Sequence, residues 1–444
     1  MCSVEEVRQA LYSYVLGKQI GIADGLNVGN PQSKINTGIG LVSKGCLYSI
    51  LSTQRDMENI AMKYSMLSSQ YKLRGWADDP YTLVHDGEMM KLSKDEFDTL
   101  LLCDGITDIE KLQDQKTIDT LLLFRKKGIV CFSQIPEEID REQRYFLYDN
   151  PYICDVSWTI TGRCNFRCRH CELNTPDAAM NEMTHEEAVR VIDRMAECGA
   201  QRLHLAGGEP FVREDFWSLV DYALEKGIKI EKIHTNGWML TESVLDKFER
   251  RGIKPEFCVS FDGVDRHDWI RGIKGAEQAA LNALKRCYIR GFRTSVEMNL
   301  HRGNVDVLRE TVDVLADAGV GKILCREIKD NDMWKRYAAG NEMTAEEYLE
   351  AVLRYIPAYY ADGMRIDIRF DGIVEMYKGS GEYSVIDGND EGGGCAERHI
   401  GRDGEIVLQK RTVYNTEKMW NEKELQKVRN ACAEAKKRFT THSA

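Results

Sequence analysis

Apolar and polar residues alternate with two different periods in the part of the chain that follows Pro151. Seven apolar runs have the length of strands, namely "ICDVSWTI", "RLHLAG", "IEKIHTNG", "EFCVSFDG", "RTSVEMNL", "KILCREI" and "RIDIRF". Between them, apolar residues recur three or four positions apart, which is typical of helices that bury one face. Alternating strands and helices predict a parallel sheet with right-handed crossovers, either open or curled into a barrel. The predicted fold class is therefore α/β, with ligands at the carboxyl ends of the strands.

The first 70 residues lack this alternation. Ser3 and Glu6 have the spacing of a helix capping box, which predicts a short helix near the start of the chain. The following Gly-, Asn- and Ser-rich stretch shows no period and is typical of a loop. Residues 1–70 are therefore predicted to be a helical and flexible segment.

A small α+β module is predicted next, over residues 71–135. Asp86-Gly87 separates "YTLVH" from "EMMKLS", which is a strong β-hairpin pattern. Three helical stretches and the strand-like "IVCFS" follow, an order that resembles a winged helix. The charged run "IPEEIDREQRYFLYDN" then predicts a linker over residues 136–150.

Composition and charge narrow the class of protein. The chain has 60 basic and 71 acidic residues, a net charge of −11, and no long block of like charge, so neither nucleic acid nor a membrane surface is an expected partner. No segment has the pattern of a signal peptide or the roughly 18 apolar residues of a membrane span. Fourteen cysteines without an export signal predict a reduced, cytoplasmic enzyme whose clustered thiols bind metal.

Three cysteines follow the first strand of the alternating region, in "TGRCNFRCRHCE". Cys164, Cys168 and Cys171 would share one face of a helix, but the arginines between them argue against a buried apolar stripe. A zinc site with His170 as the fourth ligand is one alternative, although its adjacency to Cys171 makes a tetrahedron awkward. Three thiolates can also hold a [4Fe–4S] cluster, with one iron left open to an outside molecule.

These cysteines, together with "GGEP" at the end of the second strand, resemble the radical S-adenosylmethionine superfamily. The resemblance implies one [4Fe–4S] cluster on the three cysteines, with S-adenosylmethionine bound to the open iron. It implies a partial (β/α)6 TIM-type barrel over residues 151–375. Reductive cleavage of S-adenosylmethionine would give a 5′-deoxyadenosyl radical that takes hydrogen from a substrate, with electrons from an external donor such as flavodoxin or ferredoxin.

The resemblance also implies roles for residues at the ends of the second and fourth strands. Gly207, Gly208 and Glu209 are expected to receive the ammonium group of S-adenosylmethionine, since carbonyls and a carboxylate accept hydrogen bonds from a cation. Ser260 and Asp262 in "SFDG" are expected to face its ribose or carboxylate. An Asx turn without a ligand is the alternative for this motif.

Four further residues are placed near the same site. Arg271 is expected to pair with the carboxylate of S-adenosylmethionine, with a surface role as the alternative. His170 is expected to stack on the adenine. Glu297 and Asn299 alternate with apolar neighbours, so they share one face of the fifth strand, which would be the barrel interior.

The module at 71–135 resembles the peptide-recognition wing that accompanies radical enzymes of ribosomally made peptides. In that family the leader of a precursor peptide adds as a strand to the edge of the wing. A DNA-binding winged helix is the alternative, but the segment has no dense basic cluster. A precursor peptide is therefore the expected partner.

The C-terminal segment, residues 376–444, resembles a SPASM extension with parts missing. Cys395 and Gly404 match its pattern, but Gln409 stands where a second cysteine would bind an auxiliary cluster, and Cys432 is alone. A degenerate extension without auxiliary clusters is therefore expected. Thioether formation, which uses such clusters, is correspondingly disfavoured.

Two reactions remain compatible with these features: epimerisation at a Cα and formation of a carbon–carbon cross-link. Epimerisation needs a thiol that returns a hydrogen atom, and Cys258, Cys325 and Cys395 are the candidates. Two other functions stay open. One is a radical enzyme of the same superfamily that acts on a protein side chain or a small metabolite, and the other is a zinc-bound module without catalysis.

Overall fold

In the computed structural model of the chain, the described residues are 63–86, 88–173, 182–328, 332–386, 398–400, 406–407 and 422–441. The chain divides into two compact units, Met1–Pro151 and Tyr152–Ala444. The helix predicted at Ser3 to Glu6 lies outside the described residues. None of the helices in the described ranges has the length and apolar character that crossing a bilayer requires.

The first unit contains seven described strands in two sheets and two α-helices. Its elements are β1 (Tyr64–Leu67), β2 (Tyr71–Gly75), β3 (Thr82–His85), β4 (Glu88–Lys91), α1 (Lys94–Leu101), β5 (Asp104–Asp108), a 3-10 turn (Ile109–Lys111), α2 (Gln115–Lys126), β6 (Val130–Ser133) and β7 (Phe146–Leu147). The sheet orders are β5-β1-β6 and β4-β3-β2-β7. The predicted hairpin is confirmed, because β3 and β4 pair antiparallel around Asp86, which has a φ of 49°.

The first unit also departs from the sequence-based expectations. Strands β1, β2 and β5 were not predicted, and β1 lies inside the segment predicted to be helical and flexible. The predicted linker at 136–150 belongs to this unit, since β7 pairs with β2 and Ile139 is buried in the core. Its polar residues serve the fold: the Gln143 amide donates to the carbonyls of Leu67 and Ser68, both at 3.0 Å. Short strands with polar composition give little signal in a sequence.

The second unit is built on a sheet of the order β16-β15-β14-β13-β12-β11-β10-β9-β8-β17-β18. The strands are β8 (Asp155–Thr159), β9 (Arg202–Ala206), β10 (Lys229–Thr235), β11 (Glu256–Ser260), β12 (Thr294–Leu300), β13 (Lys322–Glu327), β14 (Asp367–Phe370), β15 (Val374–Met376), β16 (Tyr383–Val385), β17 (Arg398–Ile400) and β18 (Ile406–Val407). Strands β8 to β14 pair in parallel with their neighbours in sequence. This confirms the predicted α/β fold class and all seven predicted strands.

Helices connect the parallel strands, and the six predicted ones form. The helices are α3 (His185–Glu197), α4 (Phe216–Glu225), α5 (Glu242–Arg250), α6 (His267–Arg271), α7 (Ala276–Ile289), α8 (Leu308–Asp317), α9 (Asp332–Ala338), α10 (Ala345–Ala361) and α11 (Glu422–Thr441). Capping boxes start several of them, as Thr184 and Glu187 do for α3. Six strand–helix units before β14 correspond to the partial (β/α)6 barrel.

The two faces of the parallel sheet differ in polarity. One face packs against the helices and carries buried apolar residues, including Trp158, Leu205, Ile233, Val259, Met298 and Ile323. The alternate positions carry polar residues, such as His204, His234, Glu297 and Arg326, and form the inner face of the partial barrel. This inner face and the carboxyl ends of the strands are where the sequence places its candidate site.

At the far end of the chain, α11 packs on α10 and places Cys432 in the core with no exposed surface. Cys395, Gly404 and Gln409 lie outside the described residues. The SPASM resemblance of this segment therefore stays a prediction.

Candidate active site

The three predicted ligand cysteines lie on the loop that follows β8. Cys164, Cys168 and Cys171 are half-buried and form no disulfide. Three donors are directed at the sulfurs: the Phe166 backbone amide and Asn236 Nδ2 lie 3.3 and 4.0 Å from Cys164 Sγ, and Arg271 Nη1 lies 3.8 Å from Cys168 Sγ. Burial raises the pKa of Cys164 to about 12 in the absence of a metal. Partly exposed sulfurs with donors around them fit the thiolate-held iron–sulfur cluster that the sequence predicts.

Gly207 and Gly208 hold the next loop against the cysteine loop. The parallel ladder of β8 and β9 continues past the strands, because the amides of Gly208 and Glu209 each lie 2.9 Å from the carbonyls of Thr161 and Arg163. A Cβ at Gly208 would lie 2.3 Å from the Arg163 carbonyl oxygen, and one at Gly207 would lie 2.6 Å from that of Thr161. Only glycine allows this approach. The two motifs that the sequence singled out therefore form one backbone unit.

The Glu209 carboxylate is fully buried and faces the end of β10. Thr235 Oγ1 lies 2.8 and 3.0 Å from the two Glu209 oxygens as a hydrogen-bond donor, and the backbone amide of Asn236 donates to Glu209 Oε2 at 2.8 Å. Burial raises the pKa of Glu209 to about 7, against the lowering effect of these bonds. The carboxylate thus ties the glycine loop to the end of β10, and the predicted contact of Gly207, Gly208 and Glu209 with the ammonium group of S-adenosylmethionine stays a prediction.

Asp262 and Arg271 are brought together beside the cysteine loop. Arg271 Nε lies 2.6 Å from Asp262 Oδ2, and both side chains are buried. The backbone amide of Asn299 donates to Asp262 Oδ1 at 2.9 Å, and the backbone amide of Asp262 donates to His267 Nδ1 at 3.0 Å. The expected contacts of Asp262 and Arg271 with S-adenosylmethionine stay predictions. In this structure the pair instead orients the guanidinium towards Cys168.

Helix α6 braces the cysteine loop through its backbone. The amides of Arg167 and Arg169 lie 3.3 and 2.8 Å from the carbonyls of Arg271 and Ile270. The Arg169 side chain also donates to the Trp269 carbonyl at 2.9 Å and stacks over the Trp269 ring. Arg167 and Arg169 of the motif therefore have structural partners on α6.

His170 is half-buried in the same network. Its Nε2 lies 3.3 Å from Asn299 Nδ2, and burial lowers the pKa of His170 to about 3, so the ring is neutral. The predicted stacking on adenine is not tested by this arrangement. Ser260 ends β11 on the inner face, opposite Glu297 in the strand register.

The three candidate thiols are separated by the structure. Cys258 lies on the inner face of β11, whereas Cys325 packs among the helices with no exposed surface. Burial raises the pKa of Cys325 far above its ordinary value, and the Tyr348 hydroxyl donates to its backbone carbonyl at 3.0 Å. Cys395 lies outside the described residues. Of the two described thiols, Cys258 alone lies on the face that a substrate in the barrel could reach.

Cys258 has two functional neighbours that the sequence analysis did not connect with it. A nitrogen of His234, the Cys258 sulfur and a carboxylate oxygen of Glu297 all lie within 4.8 Å of one another. Arg326 Nη1 lies 2.8 Å from Glu297 Oε1. His234 belongs to the "HTNG" motif, so its presence at the strand end was a signal, but its partners depend on strand register.

Comparison with known proteins found similarity across the segment of the chain that contains this site. Residues 158–319 match the model of the Radical SAM superfamily. Fe-coproporphyrin III synthase of Methanosarcina barkeri is 34% identical over 170 residues, which are 38% of this chain and 42% of that protein. Mycofactocin maturase MftC of Mycolicibacterium smegmatis is 32% identical over 170 residues, with the same coverages of 38% and 42%. PqqA peptide cyclase of Granulibacter bethesdensis is 30% identical over 164 residues, 36% of this chain and 43% of that protein.

The chain thus spans less than half the length of each of these curated relatives. Among solved structures, that of Streptococcus suis SuiB bound to precursor peptide SuiA has a TM-score of 0.52 and 13% identity. The match covers 82% of this chain and 90% of that chain. At this identity the similarity shows a common fold.

Proposed function

From the premise that residues 158–319 form a radical SAM domain of an enzyme that uses a [4Fe–4S] cluster and S-adenosylmethionine, we propose that its substrate is a ribosomally made precursor peptide. When bound, the cluster and S-adenosylmethionine supply a 5′-deoxyadenosyl radical that removes a hydrogen atom from the substrate. The observation that supports the cluster site is the continuous ladder that joins the cysteine loop to the glycine loop at the carboxyl ends of β8 and β9, and the observation that carries the peptide substrate is the open edge of β4 in the described sheet of the first unit.

The protein's own residues would bind and orient these groups. Cys164, Cys168 and Cys171 would hold the cluster, and the carbonyls of Gly207 and Gly208 would accept hydrogen bonds from the ammonium of S-adenosylmethionine. Asn236 stiffens the arrangement, since its Nδ2 donates to Asn165 Oδ1 at 2.7 Å within the cysteine loop. The floor of polar inner-face residues would exclude bulk water around a bound substrate.

A peptide substrate is supported by two kinds of observation. The matching relatives include a mycofactocin maturase and a PqqA peptide cyclase. The first unit offers strand β4 (Glu88–Lys91), which pairs only with β3 within its described sheet and has a half-exposed Met90. An extended leader peptide would add to this edge through backbone hydrogen bonds.

Epimerisation is the reaction that we propose, with Cys258 returning a hydrogen atom to Cα. The thiol lies on the inner face, 6% exposed, beside residues that can exchange protons. A carbon–carbon cross-link is the other outcome for the same substrate. An external one-electron donor and a reducing, cytoplasmic location complete the proposal.

A tetrapyrrole is the second candidate substrate, because Fe-coproporphyrin III synthase matches at 34% identity. Reaction of the reconstituted enzyme with a precursor peptide encoded beside its gene, in heavy water, separates the possibilities. Uptake of one deuterium at a Cα with formation of 5′-deoxyadenosine supports epimerisation, and loss of two hydrogens supports a cross-link. Formation of 5′-deoxyadenosine only with iron coproporphyrin would overturn the peptide assignment.

A further inference from the structure

His234, Cys258 and Glu297 converge on the inner face of three neighbouring strands, apart from the cysteine loop. We infer that they form an acid–base triad in which the His234 imidazole exchanges a proton with the Cys258 thiol and Glu297 positions the imidazole. The role of this exchange in turnover rests on the proposed function. The exchange itself requires neither substrate nor S-adenosylmethionine.

The strand register brings the three side chains together. His234 on β10 is the direct partner of Cys258 on β11, and Ser260, two residues further along β11, is the partner of Glu297 on β12. Side chains two residues apart on a strand share a face, so Cys258, Ser260 and Glu297 all face inward. The three functional atoms lie within 4.8 Å of one another, and His234 Nδ1 lies 3.6 Å from Glu297 Oε2.

Glu297 is held in an orientation that suits the positioning role. Its Oε1 lies 2.8 Å from Arg326 Nη1, which leaves Oε2 directed at His234 Nδ1, 3.6 Å away. A carboxylate that is anchored on one oxygen and faces an imidazole with the other fixes the ring and stabilises its protonated form. Thiols beside such an imidazolium ionise more readily than isolated ones.

The surrounding charges agree with a protonated His234. The charged groups nearest the triad are Lys232 on β10, Glu256 on β11, Arg326 on β13 and Arg271 on α6, whereas His204 on β9 is the register partner of Lys232 rather than of His234. Lys232 forms an ion pair with Glu256 at 2.8 Å, and Arg326 forms one with Glu297. Burial lowers the pKa of His234, but the Cys258 sulfur and the Glu297 carboxylate raise it to about 10.

In the proposed epimerisation, His234 supplies the proton that restores the Cys258 thiol. Cys258 loses its hydrogen atom to the peptide Cα and becomes a thiyl radical. One electron from the external donor converts this radical to a thiolate, and the His234 imidazolium supplies the proton that restores the thiol. Solvent then reprotonates His234, so that charge and protons balance over the cycle.

The test is the pH dependence of alkylation of Cys258 by iodoacetamide in the full-length, cluster-loaded enzyme, followed by mass spectrometry of the peptide that contains Cys258. Because iodoacetamide reacts with the thiolate, the midpoint of the rate profile reports ionisation of Cys258 whatever its accessibility. The midpoint of the wild type is compared with the midpoints of two variants. His234→Gln should raise it by about one unit or more, and Glu297→Gln should raise it by less.

His204→Gln is the matched control, since it removes an inner-face imidazole one strand away and should leave the midpoint of Cys258 unchanged. A wild-type midpoint near 8.5 or above overturns the inference, even if His234→Gln does not fold. Stoichiometric zinc in a variant that lacks the three loop cysteines, lost on Cys258→Ala, would show a metal site instead and also overturn it. A peptide that fails to react while the midpoint behaves as expected would refute the proposed substrate and leave the triad intact.

Discussion

Arg271 and Asp262 form a buried ion pair directly beside the cysteine loop, with Arg271 Nε 2.6 Å from Asp262 Oδ2. The carboxylate faces the guanidinium on one side and the Asn299 amide on the other. Both side chains are almost completely buried, so each depends on the other for its charge to be tolerated.

Asp262→Asn should therefore be strongly destabilising. The substitution leaves a buried guanidinium without its counterion, and a loss of about 3–5 kcal/mol in the free energy of unfolding is expected. Chemical denaturation measures this loss. Asp306→Asn, which breaks an exposed ion pair with Arg266 at 3.4 Å, is the control and should cost no more than about 1 kcal/mol. Equal losses in the free energy of unfolding for the two variants would show that burial does not increase the contribution of the Asp262–Arg271 pair.

Arg271→Met should make the reduction potential of the cluster more negative. Arg271 places a permanent positive charge 3.8 Å from Cys168 Sγ, and hydrogen bonds to cluster sulfurs favour the reduced state. A redox titration followed by electron paramagnetic resonance, without S-adenosylmethionine, measures the shift. Arg266→Met, which removes an exposed arginine at the N-cap of α6, serves as the control. An unchanged potential with weaker binding of S-adenosylmethionine would assign Arg271 to the carboxylate of the cosubstrate instead.

Gly208→Ala should reduce the iron content of the reconstituted protein. The new Cβ would lie 2.3 Å from the Arg163 carbonyl oxygen and 2.9 Å from Cys164 Cβ, so the cysteine loop must move. Gly227→Ala is the control, because nothing lies within 4 Å of its Cβ, although its φ of 80° adds a cost of about 1 kcal/mol. Iron analysis and absorption spectra compare the two. Full iron loading of Gly208→Ala would contradict the need for close approach of the loops.

Glu209 should make the cluster-free protein less stable as the pH rises towards neutrality. Burial raises the pKa of Glu209 from 4.5 to about 7, so the folded state binds more protons than the unfolded state between these values. The free energy of unfolding then falls as the pH increases through this window, by an amount on the order of 3 kcal/mol. Glu209→Gln should remove that fall. Denaturation curves at pH 5 and 7.5 give the difference between the two proteins, and parallel pH profiles would argue against the assignment.

Cys258→Ala should separate radical formation from product formation. The variant is expected to make 5′-deoxyadenosine but no epimerised peptide, because no thiol returns hydrogen to Cα. Cys325→Ala should leave the reaction intact and cost about 1–3 kcal/mol of stability through a small core cavity. Mass spectrometry and chiral amino-acid analysis of the peptide give the readout. Normal epimerisation by Cys258→Ala would remove Cys258 from the mechanism.

The parallel strands β8 to β14 of the second unit were predictable because apolar residues recur along each of them and each motif follows its own strand, whereas β15 to β18 were not predicted. The sequence also distinguishes Cys258 from Cys325 as the thiol on the inner face. Cys258 stands between the core residues Phe257 and Val259, so it faces the other side of β11, whereas Cys325 has the same parity as the core residue Ile323.

Contacts between distant residues were not predictable in the same way. The orientation of Glu209 towards Thr235, and the meeting of His234 with Glu297, depend on the register of neighbouring strands. A shift of one residue would turn each side chain to the opposite face, and a single sequence does not specify that register. Strands β1 and β7 were missed because they have only four and two residues, too few to show a period.

The pairing of β17 with β8 affects the order in which this protein folds. The other described parallel pairs of the second unit join consecutive strands, whereas Arg398–Ile400 return to Val156, Ser157 and Trp158 from more than 200 residues away. Such contacts form late, because a long loop must be closed before any pairing energy is gained. During synthesis the strand before the cysteine loop keeps an open edge until residue 400 has left the ribosome, so for most of translation this edge is available to pair with another strand.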